Sequence, residues 1–201
     1  MTVAEQVAAD PIARFTAYLE QAKRVDRAVL PEPTAFCLAT VGADGQPSAR
    51  MLLLKAVDAS GLVFYTNHHS RKAGELLATR KAAMCFHWQP LEVQVRVEGV
   101  VSTVSDAEAD AYFASRPRGS QIGAWASEQS RPMQHADDLE RRVAEFDQKF
   151  AGGPVPRPPH WSGFRLTPAV LEFWRSMPSR LHVRERYTRK DAAWRIERLF
   201  P

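Results

Sequence analysis

Two groups of cations hold the chemistry that this sequence can do. The first is Arg71 and Lys72, which follow Ser70 at the start of an amphipathic run. Ser70 suits the N-cap of a helix, so both cations fall in the first turn, where free amides and the helix dipole already concentrate positive charge. Cations are disfavoured there unless an anion docks at that end, most simply a phosphate. A solvated Arg-Lys pair is the plain alternative. The second group is Arg180, His182, Arg184 and Arg186, which alternate with Leu181, Val183, Glu185 and Tyr187. On a strand, that period of two aims all four basic side chains the same way. They repel one another unless water or an anion meets them, and a solvated edge strand satisfies the pattern equally well.

The elements that must position these groups follow from periodicity. Asp10-Pro11 opens a helix with Ile12, Phe15, Leu19 and Ala22 as its apolar stripe. Residues 34–41 read as a strand, followed by the turn Ala43-Asp44-Gly45-Gln46-Pro47. Apolar runs at 51–57 and 62–66 flank Asp58-Ala59-Ser60-Gly61, the layout of a hairpin that feeds Asn67-His68-His69-Ser70 and the helix. Residues 82–88 and 91–104 form a further strand pair around Gln89-Pro90, with Val93, Val95 and Val97 alternating against Glu92, Gln94, Arg96 and Glu98.

Ser105-Asp106-Ala107-Glu108 is a capping box that starts a helix running to about residue 115, stopped by Pro117. Tyr112 and Arg116, four apart, share a face near its end. Residues 120–130 make a short helix or helical loop. Leu139, Val143, Phe146 and Phe150 mark a third helix that ends at Gly152-Gly153-Pro154. Strands return at 161–166, 170–174, 181–187 and 194–199. Consecutive strands without long interleaved helices favour a mainly antiparallel sheet, closed or nearly closed as a barrel, in the α+β class.

At 201 residues, 45% hydrophobic and 25% charged, the chain has the size and composition of one globular domain over 1–201. Its parts are an N-terminal helical region (1–30), the main strands (34–104), a helical segment (105–151) and C-terminal strands (161–201). Cys37 and Cys85 sit in apolar runs without metal spacing and read as reduced core residues; no metal site is expected. The net charge of +4 suits an anionic ligand, but no Lys/Arg block points to nucleic acid. No apolar run nears the ~20 residues a membrane helix needs, and the first residues lack a basic-then-apolar leader, so a cytoplasmic protein is expected.

Taken together, Arg50-Met51-Leu52-Leu53-Leu54-Lys55, Phe64-Tyr65-Thr66-Asn67 with Ser70-Arg71-Lys72, and Gln94 in its alternating strand form an ordered set of motifs. Tyr112-Phe113 with Ser115-Arg116-Pro117-Arg118, the run Ser120-Gln121-Ile122-Gly123-Ala124-Trp125-Ala126-Ser127, Glu172-Phe173-Trp174 and Arg180-Leu181-His182 extend it. From about Asp10 to Pro201 the chain resembles the pyridoxine/pyridoxamine 5'-phosphate oxidases, FMN enzymes that make pyridoxal 5'-phosphate.

That resemblance implies an FMN-binding split β-barrel with peripheral helices, paired as a homodimer with FMN at the subunit interface. It implies FMN contacts at Arg50, Met51, Leu54, Lys55, Tyr65, Thr66, Arg71, Lys72, Gln94, Gln129, Ser130, Trp174 and Arg184. It assigns Lys55, Tyr112, Arg116 and Ser120 to the substrate's 5'-phosphate, and Arg180 and His182 to catalysis beside the pyridine ring. The implied reaction oxidises pyridoxamine or pyridoxine 5'-phosphate, with O2 as acceptor and H2O2 (plus ammonia from the amine) as products.

Three features sit awkwardly with it. Arg50 and Lys55 are five apart, so a regular strand sends them to opposite faces unless a bulge intervenes or two ligands lie on different sides. Ser176-Met177 and Val183 stand where many members carry Gly-Gly and Asp. Only nine residues precede Asp10, so the N-terminal arm that relatives bring over the substrate is expected to be missing. The alternatives are a phenazine-type flavin oxidase on the same scaffold, a non-catalytic flavin or pyridoxal-phosphate binding module, and a basic RNA-binding barrel.

Overall fold

A computed structural model describes residues 10–201; the expectation about an N-terminal arm concerns residues outside that range. Helix α1 (Pro11–Arg24) starts as its residues dictate, with the Asp10 carboxylate accepting from the Ile12 and Ala13 amides and Pro11 at the first helical position. Its buried stripe, Phe15, Leu19 and Ala22, faces the main core.

The strands are β1 (Ala35–Val41), β2 (Pro47–Leu53), β3 (Ala56–Asp58), β4 (Gly61–Asn67), β5 (Lys81–Trp88), β6 (Val93–Thr103), β7 (Trp161–Arg175), β8 (Val183–Lys190) and β9 (Ala193–Leu199). They form one antiparallel sheet in the order β2-β1-β5-β6-β7-β4-β3, with β8 on β7 and β9 on β8. The α+β split β-barrel is thus the observed fold. Phe36, Leu38, Phe64, Met84, Phe86, Val95, Val97, Leu171 and Phe173 fill its inner face together with Phe15 of α1. Phe15 meets Phe86 edge-on, with ring centroids 4.9 Å apart. Arg14 ties α1 to β8, donating to Glu185 at 2.8 Å and to the Tyr187 hydroxyl at 2.9 Å.

Helix α2 (Arg71–Thr79) follows β4; α3 (Asp106–Ala114), α4 (Arg118–Ala126) and α5 (Asp138–Lys149) follow β6. The Ser70 and Ser105 caps form as read, accepting from the Ala73 and Glu108 amides. A second, smaller core joins the helical segment to the start of β7 through Phe113, Ile122, Val155 and Trp161.

Three expectations change in detail. The run at 51–57 is not one strand. It breaks at Leu54-Lys55, where β2 leaves β1 and the chain resumes as β3 against β4, turning at Gly61 with φ 139°. That break resets the side-chain parity between Arg50 and Lys55. The runs at 161–166 and 170–174 are instead one 15-residue strand, β7, which pairs with β6 along most of its length, with β4 through its first half and with β8 through its second. A register shift in β6 at Glu98/Gly99 absorbs the irregularity. Finally, β8 begins only at Val183. Arg180 lies in a 3-10 turn (Pro178–Arg180) at φ 61°, so the four basic residues do not share one strand face.

Candidate active site

A cavity of about 640 Å³ opens between the β2–β4 edge of the sheet and the α3–α4 segment. Its walls bring together Lys55, Tyr112, Arg116 and Ser120, the four residues assigned to a substrate phosphate, with Met51, Tyr65, Thr66 and Gln129 from the flavin set. Three rings stack along one wall. Tyr65 lies 4.1 Å from Tyr112 and 5.2 Å from Trp161, with interplanar angles of 17° and 6°. Tyr65 faces Gly163 across the β4–β7 ladder, where a Cβ would come within 2.7 Å of its ring. Burial, with the charges of Glu108 and Tyr112, pushes the Tyr65 hydroxyl up to about 12, so it stays a protonated donor.

Arg116 lies past the end of α3, with its guanidinium 4.7 Å above the Trp161 ring. Its Nη1 is buried without a hydrogen-bond partner, and burial lowers its pKa. An unpartnered buried guanidinium nitrogen at the cavity wall is chemically incomplete until an anion meets it.

Beside the cavity, the first turn of α2 holds a second cationic cluster. Lys72 is only 7% exposed. Its Nζ donates to Gln129 Oε1 at 2.5 Å, Ser70 Oγ at 3.2 Å and Thr66 Oγ1 at 3.3 Å. Burial first, and the charge of Arg50 second, bring Lys72 down to about 8. The Arg71 amide donates to Ser130 Oγ at 3.4 Å. Arg50 donates to Thr40 and Ser48, and lies 3.4 Å from the Glu75 carboxylate. Burial alone would raise Glu75; hydrogen bonds from Thr40, Ser48 and Arg71 and the charge of Arg50 outweigh it and hold the carboxylate at about 2. Sequence reasoning missed Glu75, although its i,i+4 spacing from Arg71 was a visible signal. Trp161, 6% exposed and part of the smaller core, also lines the cavity. Leu54 belongs to the main core rather than the cavity wall, with its amide bonded to the Thr34 carbonyl.

The remaining assigned residues form a separate group. Gln94, Trp174 and Arg184 stand in one cross-strand row of β6, β7 and β8. Arg184 pairs with Glu172 at 2.8 Å. His182 packs 4.5 Å from the Trp174 ring and accepts from the Met177 amide at Nδ1, 3.2 Å away. Arg180 is exposed in its turn. Trp161 and Trp174 occupy opposite ends of β7, thirteen residues or roughly 40 Å of strand apart. One chain therefore does not bring Arg180 and His182 to the cavity that holds Lys55 and Arg116. Arg186 pairs with Glu197 at 2.9 Å, so Arg184 and Arg186, the two of the four alternating basic residues that lie on β8, meet carboxylates of the sheet itself.

Comparison with known proteins decides the family. A family model described as pyridoxamine 5'-phosphate oxidase matches residues 23–150, and one described as the pyridoxine 5'-phosphate oxidase C-terminal dimerisation region matches residues 161–201. The chain belongs to the pyridoxamine 5'-phosphate oxidase family. A pyridoxine/pyridoxamine 5'-phosphate oxidase of Myxococcus xanthus is 59% identical over 192 residues, 96% of this chain and 92% of that protein. One of Rhodospirillum rubrum is 56% identical over 197 residues, 96% of each.

Among solved structures, PhzG of Burkholderia lata, in complex with tetrahydrophenazine-1-carboxylic acid, superposes with TM-score 0.88 at 31% identity, covering 96% of this chain and 93% of that one. An FMN-binding protein of Nostoc punctiforme related to pyridoxamine 5'-phosphate oxidase shares the fold with TM-score 0.73 at 18% identity, over 96% and 98% of the two chains. Membership makes this chain an oxidoreductase of a flavin-dependent family, with a dimerisation region and a small-molecule substrate. Among the described residues no helix is long and apolar enough to cross a membrane.

Proposed function

We propose that this protein is an FMN-dependent pyridoxine/pyridoxamine 5'-phosphate oxidase that works as a homodimer in the cytoplasm. The observation that supports it best is the cavity in which the unpartnered Arg116 guanidinium stands with Lys55, Tyr112 and Ser120. Two cations and two hydroxyl donors suit a phosphate monoester dianion. That set favours a phosphate ester over the carboxylated tricyclic ligand of the phenazine relative.

The α2 cluster fits the phosphate of FMN. Arg50, Arg71 and Lys72 supply charge, and Thr66, Gln129 and Ser130 supply polar contacts around it. When bound, FMN supplies the acceptor for a hydride from the substrate's C4' and passes the electrons on to O2, with release of H2O2. The protein's own residues fix the geometry. Lys55 and Arg116 anchor the ester at one end, so the pyridine ring is held by its tail. The stacked wall of Tyr65, Tyr112 and Trp161 keeps water from one side of the cavity.

Arg180 and His182 complete the site from the second subunit, because one chain leaves them at the far end of β7 from the cavity. There Arg180 orients the ring and His182 assists proton handling; a guanidinium, with its pKa above ~12, serves as a charge rather than a base. Arg184, Trp174 and Gln94 reach the flavin from the same subunit as Arg180.

The test is turnover of pyridoxamine 5'-phosphate against unphosphorylated pyridoxamine by the flavin-loaded protein. A strong preference for the ester, lost in Arg116→Ala, is expected. Equal turnover of the two compounds would remove the phosphate assignment.

A further inference from the structure

We propose that Cys37 and Cys85 form a reversible peroxide-oxidised dithiol site, closing to an intramolecular disulfide across β1 and β5. The two residues are direct partners in the antiparallel register of those strands. Opposed residues in such a ladder have Cα atoms about 4.5–5.5 Å apart, inside the ~4.4–6.8 Å range that disulfides span. Both side chains lie on one face, because their strand neighbours Phe36, Leu38, Met84 and Phe86 are all fully buried on the other. Both cysteines are free and half-buried. No step of the oxidase reaction uses either thiol.

Their surroundings connect the pair to the cofactor strand. Cys37 is also the register partner of Met51 on β2, so Met51, Cys37 and Cys85 stand in one row across three strands. Met51 lines the cavity. A peroxide released there arises within two strands of the thiols. Burial, together with the neighbouring Cys37, pushes the Cys85 thiol up. Cys37, one strand nearer the cavity-lining Met51 than Cys85, is the first to react.

The chemistry balances with hydrogen peroxide as the oxidant. The Cys37 sulfur attacks one peroxide oxygen, the O–O bond breaks, and the sulfur becomes a sulfenic acid while the other oxygen leaves as water. The Cys85 sulfur then attacks the Cys37 sulfur, the S–O bond breaks, and a second water leaves. Two thiols and one peroxide thus give one disulfide and two waters, with two electrons passing from sulfur to oxygen. An intracellular dithiol restores the pair, whereas a lone sulfenic acid would advance to irreversible forms.

The peroxide source rests on the function proposed above, so the thiols are tested with added reagent. The flavin-loaded protein is exposed to hydrogen peroxide, then assayed for free thiols, intact mass and non-reduced peptide maps. Wild type is expected to lose both thiols together, to lose two hydrogen atoms in mass, to link the peptides containing Cys37 and Cys85 within one chain, and to recover with dithiothreitol. Cys85→Ser is expected to stop at a sulfenic acid on Cys37 that dimedone traps; Cys37→Ser should keep Cys85 as a thiol under the same dose. The proposal is overturned if wild type retains both thiols under a dose that oxidises glutathione, if oxygen adds without cross-linking, or if the link joins two chains. A disulfide formed by added peroxide, with no peroxide released from substrate, would defeat the proposed oxidase reaction and leave the dithiol site standing.

Discussion

Arg71 Nε donates to Glu75 Oε1 at 2.8 Å, one turn along α2, while the other oxygen of the same carboxylate accepts from Ser48 at 2.7 Å and faces Arg50 at 3.4 Å. Glu75 is thereby the buried tie between the helix that presents the cation cluster and the strands beneath it. Glu75→Ala should lower stability by about 2 kcal/mol, because the partners are charged or left unpaired. Since the folded carboxylate sits at about 2, against an ordinary 4.5, its contribution is fully present above pH 4.5 and is lost as pH falls toward about 2. Denaturant melts of wild type and variant across that range should converge at the acid end. Curves that stay parallel would show that Glu75 does not titrate as described.

Lys72 behaves in the opposite sense. Its ammonium falls from an ordinary 10.5 to about 8 through burial and the charge of Arg50. Folding therefore costs least when Lys72 is neutral, and the flavin-free protein should gain stability from this group as pH rises from 8 to 10.5. A bound phosphate stabilises the ammonium and should flatten that rise. Thermal melts with and without FMN, in wild type and Lys72→Met, check it: the variant should lose the pH-dependent gain and bind FMN at least tenfold more weakly. A fully flavinated variant would refute this role.

Arg116→Ala should raise KM for the phosphate ester by ten- to a hundredfold, on the order of 1.5–3 kcal/mol for a charged hydrogen bond, with FMN retained. Steady-state kinetics with flavin quantified in the same sample give the answer. Loss of flavin together with substrate affinity would mean that the residue supports the fold rather than the ester.

Arg180→Ala should cut turnover more than tenfold, over ~1.4 kcal/mol of barrier, while FMN stays bound. If the site is shared between subunits, mixing inactive Arg180→Ala with inactive Lys55→Ala should regain up to about a quarter of wild-type activity once chains exchange, because one site of each mixed dimer is then intact. No recovery after proven exchange would place both residues in one chain's site.

Much of this was legible in the chain because the signals are local. The caps at Asp10, Ser70 and Ser105 form as their side chains dictate, and the alternation at Val93, Val95 and Val97 is the buried face of β6. The cations of α2 stand in the first turn behind the Ser70 cap, where the sequence puts them. What periodicity could not show was where strands break and bend. Apolar residues continue through Leu54-Lys55 although the ladder changes partner there, and the turn that removes Arg180 from β8 contains no glycine, only Ser179 and Arg180 at positive φ. The separation of the assigned residues into two groups is a property of β7's length. Nothing within a short window of sequence reports it.

The central claim is that the cation-lined cavity presents a vitamin phosphate ester to a flavin. Its most direct test is to purify the protein, record its visible spectrum, and add pyridoxamine 5'-phosphate in air while measuring hydrogen peroxide and pyridoxal 5'-phosphate. A flavin band and equal amounts of the two products are the predicted result. A colourless protein that FMN does not reconstitute, or a flavinated one that releases neither product, would contradict it.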